Sequence, residues 1–289
     1  MIIGIIGPTG VGKTKMSIEL AKKYKAIIIN ADAMQVYKDL NIGTAKIKEE
    51  EKEGIEHYLF DIKEVEDDYT VYDYQKDARY LLDKYKNRNI IFVGGTGLYL
   101  KAALYNYEFK EESNNTNYDD LTNEELYELA KKKDPNMDIH LNNRKRLIRF
   151  LNREGSSNKG NEIVYPHILI GLTTNRDNLY KIINDRVDKM INEGLIDEVK
   201  YFYDKGISSK SINTGIGYKE LYKYFSNEIS LEEAIDLIKK NSRRYAKRQY
   251  TFFNNQLKPK WFDVDYDDFN KTINEVIDYI EGVKNDNSW

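Results

Sequence analysis

Apolar and polar positions change period along this chain, and the changes mark its elements. Ile2, Ile3, Ile5 and Ile6 form a β-branched run of the length of a buried strand, and residues 15–23 then take up helical spacing. The run AIIIN at 26–30 reads as a second strand and NIIFV at 89–93 as a third. Between them residues 72–85 are helical by pattern, with Tyr74, Ala78, Leu81 and Leu82 on one side, and residues 98–104 make a further helix. The segment 40–65 is polar, with Gly43-Thr44-Ala45-Lys46 as a turn and His57-Tyr58-Leu59-Phe60 as a short apolar piece that the pattern leaves unassigned. HILIGL at 167–172 returns as a core strand. The last third is mostly helical, over 178–193, 195–205, 217–225 and 231–253, before a late strand at 260–263 and a final helix from Phe269. Strands alternating with helices predict an α/β fold built on a doubly wound parallel sheet.

Composition shifts near Lys110. Residues 111–120 are acidic and Asn-rich, 122–133 read as a helix stopped by Asp134-Pro135, and 142–152 as a second helix carrying Arg144, Lys145, Arg146 and Arg149. A loop follows at 155–160. These features predict a small helical insertion at 110–143 within a core of 1–109 and 144–289.

The turn after the first strand is Gly7-Pro8-Thr9-Gly10-Val11-Gly12-Lys13-Thr14, a P-loop in the strand-to-helix context that the motif needs. Its glycines let backbone N–H groups converge on phosphate oxygens, and the helix N-terminus adds partial positive charge. Lys13 reaches between phosphates and the Thr14 hydroxyl is placed to ligate Mg²⁺. The fold is therefore expected to be P-loop NTPase-like. The loop grips a diphosphate, of a nucleotide such as ATP or of another donor, and does not say whether phosphorus or carbon is attacked.

Composition excludes several chemistries. The chain has no Cys, which removes disulfides, thiolate zinc sites and a cysteine nucleophile, and its three His are widely separated. No apolar run approaches the ~18 residues of a membrane span, so a cytoplasmic protein that does not use a membrane is expected. A net charge of -3 points away from a polyanion-coating protein, yet local clusters can override it. One such cluster is Arg144, Lys145, Arg146 and Arg149. Another is Arg243, Arg244, Lys247 and Arg248, with Tyr245 and Tyr250 interleaved, which suits RNA backbone and splayed loop bases as well as a solvated helix face.

Asp32 follows the second strand, where ligands of open α/β sheets sit, and either serves the site or caps the next segment. Gln35 has an amide able to pair with an adenine edge, or is an exposed polar side chain. Thr96, in the turn Gly94-Gly95-Thr96-Gly97, and Arg176, ahead of the helix expected at 178, are equally open on position alone.

Several blocks together resemble one family, the tRNA dimethylallyltransferases: GPTGVGKT (7–14), NADAMQVYKDLNIGTAK (30–46), VGGTGLYLKAALY (93–105), NRKRLIRFL (143–151), the segment 171–199, GIGYKEL (215–221) and RRYAKRQYTFF (243–253). They run in family order over nearly the whole chain. The resemblance implies a bacterial-type enzyme that moves a dimethylallyl group from its diphosphate onto N6 of the adenine immediately 3′ of the anticodon. It implies Asp32, Thr96 and Arg176 as catalytic residues, the first two at the reacting centre and Arg176 holding diphosphate from across the cleft, with Gly7 to Thr14 also on the diphosphate and Mg²⁺ at Thr14. It further implies tRNA contacts at Asp32, Ala33, Met34, Gln35, Arg146, Arg149, Gly217, Tyr218, Lys247 and Arg248, with the insertion on the anticodon stem-loop and the chain a monomer. Asp32 fits a base for the weakly basic exocyclic amine, and the P-loop fits a departing diphosphate. Two positions depart from the usual pattern: Ala33 where the family has Ser, and Phe252 where Trp is common. A small-molecule P-loop kinase, an adenylate isopentenyltransferase and an RNA-binding protein with a regulatory nucleotide site are the competing readings.

Overall fold

The computed structural model describes residues 1–109, 116–152 and 160–286. Within them β1 (Ile2–Ile6), β2 (Ile27–Asn30), β3 (His57–Tyr58), β4 (Ile90–Val93), β5 (Ile168–Thr173) and β6 (Lys260–Asp263) form one sheet in the order β3-β2-β4-β1-β5-β6. Every neighbouring pair is parallel. The strands are apolar on both sides because both faces are covered. On one face Ile3, Ile5, Ile28, Ile91, Ile168 and Ile170 pack with Met16 and Leu20 of α1 (Lys13–Tyr24) and Val276 and Ile280 of α11 (Phe269–Asn285). On the other Ile27, Ile29, Ile90, Phe92 and Leu169 pack with Tyr74 and Leu82 of α2 (Val71–Lys84) and Leu100 and Ala103 of α3 (Gly97–Leu104). The period-two split of 27 and 29 from 28, and of 90 and 92 from 91, is the pleat of a strand buried twice.

The apolar piece at 57–60 resolves into β3, which pairs with β2 at the sheet edge through Ile28↔His57 and Ile29↔Tyr58. Its two residues are too few for periodicity to reveal. α6 (Arg176–Asn192) starts two residues earlier than its apolar spacing suggests, because the Asn175 side chain accepts the Asn178 N–H at 2.9 Å and caps it. After α7 (Leu195–Asp204) comes a short α8 (Lys210–Thr214) that the pattern does not announce, and then α9 (Tyr218–Phe225). α10 (Leu231–Phe252) opens on a reciprocal cap, with Ser230 Oγ accepting from Glu233 N and Glu233 Oε2 from Ser230 N, and it runs on as a π-helical turn over Phe253–Leu257. No helix of the described residues is long and apolar enough to cross a membrane.

Contacts divide the chain into residues 1–105 with 163–289, and a smaller unit of 106–162. In the smaller unit α4 (Asn123–Lys133), capped by Thr122 and Glu125, packs on α5 (Arg144–Leu151) around Leu126, Ala130, Met137, Ile139 and Leu147. This moves the expected boundary: α5 belongs to the insertion and not to a core resuming at residue 144. The physical reason is that Leu147 is fully buried against α4, while Arg144 donates to the carbonyls of Tyr118 at 2.7 Å, Asp119 at 3.1 Å and Leu121. Residues 110–115 of the acidic stretch and 153–159 of the expected loop lie outside the described residues.

Candidate active site

The register of the sheet brings three turns level. Ile5 and Asn30 both pair with Val93, so Ile6, Ala31 and Gly94 follow side by side at the carboxyl ends of β1, β2 and β4, with the P-loop starting at the next residue, Gly7. Ala31 N donates to Val93 O at 2.8 Å, Gly94 N to Ile5 O at 3.2 Å and Thr96 N to Ala31 O at 3.0 Å. The turns touch so closely that a Cβ on Gly94 would lie 2.2 Å from the Ala31 carbonyl carbon.

In the P-loop Gly10 and Gly12 take φ of 89° and 84°, left-handed values that glycine adopts without the Cβ clash of other residues. Gly12 is the N-cap of α1. Lys13 Nζ donates to Pro8 O at 2.6 Å, folding the side chain back along the loop. Burial pushes the Lys13 ammonium down to about 7; the nearby Arg186 guanidinium adds to this and the Asp32 carboxylate opposes it.

Asp32 occupies a braced turn. Asn30 Nδ2 donates to Asp32 O and Leu59 O, both at 2.9 Å, and Asn30 Oδ1 accepts Asp32 N at 2.8 Å. Asp32 Oδ1 accepts Met34 N at 3.0 Å, closing an Asx turn and fixing the carboxylate. The bond closes a turn, and no helix follows for Asp32 to cap. Thr96 Oγ1 accepts Ala33 N at 3.0 Å and so ties the β2 turn to the β4 turn. That backbone N–H is present whichever residue stands at 33, which is how Ala33 is accommodated.

These groups share a cavity of about 920 Å³ lined by Gly10, Gly12, Lys13, Thr14, Asp32, Ala33, Met34, Gln35, Thr96 and, from the C-terminal helices, Arg186, Gly217, Tyr218, Tyr245, Arg248 and Gln249. Tyr218 is buried, and its hydroxyl donates to Glu198 Oε1 at 2.6 Å, so it forms wall and not a free polar group. Gln35 Nε2 donates to Thr44 O at 3.0 Å. Tyr245 is raised to about 12 by burial and then by Asp32, with Thr96 and Gln249 as its side-chain partners. The Tyr250 hydroxyl bonds Thr173 at 2.7 Å. The two tyrosines expected as stacking platforms are thus engaged internally.

Arg176 is not among the lining residues. Its guanidinium lies over the Tyr180 ring, 5.1 Å from the centroid, as the first residue of α6. Arg186, ten residues on, is the α6 arginine that faces the P-loop; burial lowers its pKa and Asp32 and Glu193 oppose that. Sequence reasoning missed it because an arginine in mid-helix carries no motif. Its signal is faint: in the period of α6, residue 186 sits next to buried Ile183 and Val187.

The remaining basic residues fall in two places. In α10, Arg244, Lys247 and Arg248 are exposed and border a shallow groove with Phe252 and Gln256, while Arg243 is held by Asn184. Phe252, in place of Trp, packs on Gly97. In the smaller unit Arg146 and Arg149 are exposed on α5.

A family model described as IPP transferase matches residues 35–256. The tRNA dimethylallyltransferase of Anoxybacillus flavithermus is 47% identical, with 97% of this chain and 96% of that protein aligned. That of Geobacillus thermodenitrificans is 44% identical with the same coverage. Among solved structures, the full-length tRNA isopentenylpyrophosphate transferase of Bacillus halodurans is 42% identical with a TM-score of 0.76, over 97% of this chain and 95% of that one. A eukaryotic dimethylallyltransferase captured acting on tRNA gives 25% identity and a TM-score of 0.79, over 99% and 79%. Since the likeness runs through sheet, cavity turns and C-terminal helices alike, the chain belongs to the IPP transferase family, that of the tRNA dimethylallyltransferases.

Proposed function

We propose that this chain transfers a dimethylallyl group from dimethylallyl diphosphate to N6 of adenosine 37, immediately 3′ of the anticodon of tRNA, and releases diphosphate. Beyond family membership, the observation that carries this reading is that a fixed carboxylate, Asp32, and a phosphate cradle ending in Lys13 open into one cavity from neighbouring strand ends. The adenine amine forms a bond to the donor's terminal CH₂ as that carbon's bond to oxygen breaks, and Asp32 accepts the proton the nitrogen loses. The diphosphate leaves into the N–H groups of the P-loop, the Lys13 ammonium and the Arg186 guanidinium. Thr96 fixes the turn that carries Asp32. The loop holds the donor's diphosphate in place of a nucleotide, and since one chain lines the whole cavity, a monomer suffices.

Mg²⁺ fits this arrangement as an ion that arrives with the diphosphate. Among the described residues no cluster of three His, Asp or Glu side chains could hold a metal by itself, whereas Thr14 lines the cavity beside Lys13. Bound there, the ion would offset charge on the leaving diphosphate, with Thr14 Oγ1 as its protein ligand. Thr14→Ala is expected to weaken donor binding and to raise the Mg²⁺ concentration needed for half-maximal transfer; a Mg²⁺ titration equal to that of the wild type would place the metal elsewhere.

Incubation with dimethylallyl diphosphate labelled in its prenyl group plus tRNA, beside γ-labelled ATP with small metabolites, tests the whole reading. Label in tRNA from the first mixture alone supports it. Label in a free adenine nucleotide, or from ATP in a metabolite, replaces it by one of the competing activities.

Extracting an adenine from a stacked loop costs a few kcal/mol, and backbone phosphate contacts offset it. In this reading Arg146, Arg149, Lys247 and Arg248 supply them. Arg146→Ala and Lys247→Ala should each shallow the slope of log tRNA affinity against log salt by about 0.7–0.9, with turnover at saturating tRNA little changed. Slopes equal to the wild type would return both residues to the solvated helix faces that such clusters commonly are.

A further inference from the structure

Met34 and Gln35 reach the cavity from the turn that follows β2. Glu198, in the first turn of α7, holds the loop a few residues further on. Its Oε2 accepts Asn41 N at 3.1 Å and Ile42 N at 2.7 Å, and its Oε1 accepts Gly43 N at 3.0 Å and the Tyr218 hydroxyl at 2.6 Å. Three successive backbone N–H groups and a hydroxyl thus converge on the two oxygens of one carboxyl group, all four of them as donors. Tyr218 locks the same loop sterically: a Cβ on Gly43 would meet its ring at 2.7 Å.

The loop so fixed presents the Thr44 and Ala45 carbonyls to Gln35 Nε2, at 3.0 and 3.4 Å. Two carbonyls facing one end of an amide decide which end that is. The NH₂ group must point at the loop, so Gln35 Oε1 is directed away from it, and that oxygen has no protein hydrogen-bond partner among the described residues. Gln35, Gly43, Thr44, Ala45 and Tyr218 all line the cavity. A glutamine free to flip would offer donor or acceptor alike; one held this way offers an acceptor only.

We propose that Glu198, through the 41–45 loop, is a positioning residue that holds the Gln35 amide with its carbonyl oxygen toward the cavity, and thereby selects a nucleobase presenting an amino group over one presenting a carbonyl. The ligand is an adenine edge in the anticodon loop, with guanine or hypoxanthine rejected because their 6-oxygen would oppose Gln35 Oε1. The inference rests on the reading of the substrate as tRNA, but its test is a binding measurement in the absence of donor and does not depend on transfer.

The test uses the full chain and anticodon stem-loop RNAs in which loop adenines are replaced one at a time by inosine, with affinity read by fluorescence anisotropy. The wild type should prefer adenine at one position by about tenfold. Gln35→Leu and Glu198→Gln should each reduce that preference to about twofold, and the double variant should reduce it no further, as expected of residues acting in series. Glu198→Gln keeps the side-chain shape but sets an NH₂ group against N–H donors, so it frees the loop without emptying the site. Dimethylallyl diphosphate affinity, measured alongside, should be unchanged and shows that each variant is folded. Full selectivity in Glu198→Gln with selectivity lost in Gln35→Leu would remove Glu198 from the role, and full selectivity in both would overturn the proposal. A wild type that selects adenine but transfers no prenyl group would instead overturn the proposed reaction and leave this inference standing.

Discussion

Asp32→Asn is expected to lower dimethylallyl transfer at saturating substrates by about 10²–10⁴-fold, the contribution of a positioned base to proton removal in the transition state. The asparagine keeps an oxygen for the Met34 N–H, so the Asx turn survives while the base is lost. Donor affinity should stay within about threefold, because Asp32 acts on the amine and not on the diphosphate. Asp32→Ala also removes the acceptor for Met34 N, and should add a lower melting temperature to the same loss of rate. Single-turnover transfer with preloaded donor separates the effects, and wild-type turnover in Asp32→Asn would end its assignment as the base.

Lys13→Met carries the second large effect. Loss of a charge-assisted contact to the diphosphate should cost about 10–100-fold in donor affinity, and more in rate, since charge builds on the leaving group. Its pH signature is specific. Burial and Arg186 hold Lys13 at about 7 in the free protein, and an anionic diphosphate must raise it. Below pH 7 the free lysine is already protonated, so affinity is independent of this group. Above pH 7 binding must take up a proton, and affinity falls by up to about tenfold per pH unit until the raised value in the complex is reached. At pH 8, calorimetry in buffers of different ionisation enthalpy should find about 0.9 proton taken up by wild type beyond the uptake of Lys13→Met. Equal uptake by both proteins would mean that Lys13 is charged throughout. The same shift acts on stability with its own sign: between pH 7 and the unfolded value of 10.5 the unfolded chain binds the extra proton, so the donor-free protein gains stability as pH rises through that window.

The family and its chemistry were legible in the linear order of residues because their carriers are local. A P-loop is eight consecutive residues whose glycines and lysine act through backbone geometry that the segment makes by itself, and strands of isoleucine buried on both faces announce a parallel sheet. Asp32 could be placed beside the loop for the same reason, since a residue at the end of one strand of such a sheet neighbours the ends of the others. Other features depended on distant parts of the chain. Whether α5 belonged to the core or the insertion turned on Leu147 meeting α4, a contact between faces that neither helix specifies alone. Which arginine of α6 faces the cavity was decided by the rotation of that helix against its neighbours, which exposes Arg176 to Tyr180 and turns Arg186 toward Lys13 and Asp32. The Glu198 carboxylate gathers backbone N–H groups more than 150 positions earlier in the chain, and a hydrogen bond to the main chain leaves no trace in the identity of the residues that donate it. Sequence by itself determined most of the elements and where the P-loop lies, because those depend on spacing within a segment. Only the tertiary structure decided which side chains share the cavity and which way Gln35 points, because those depend on surfaces that meet after the chain has folded.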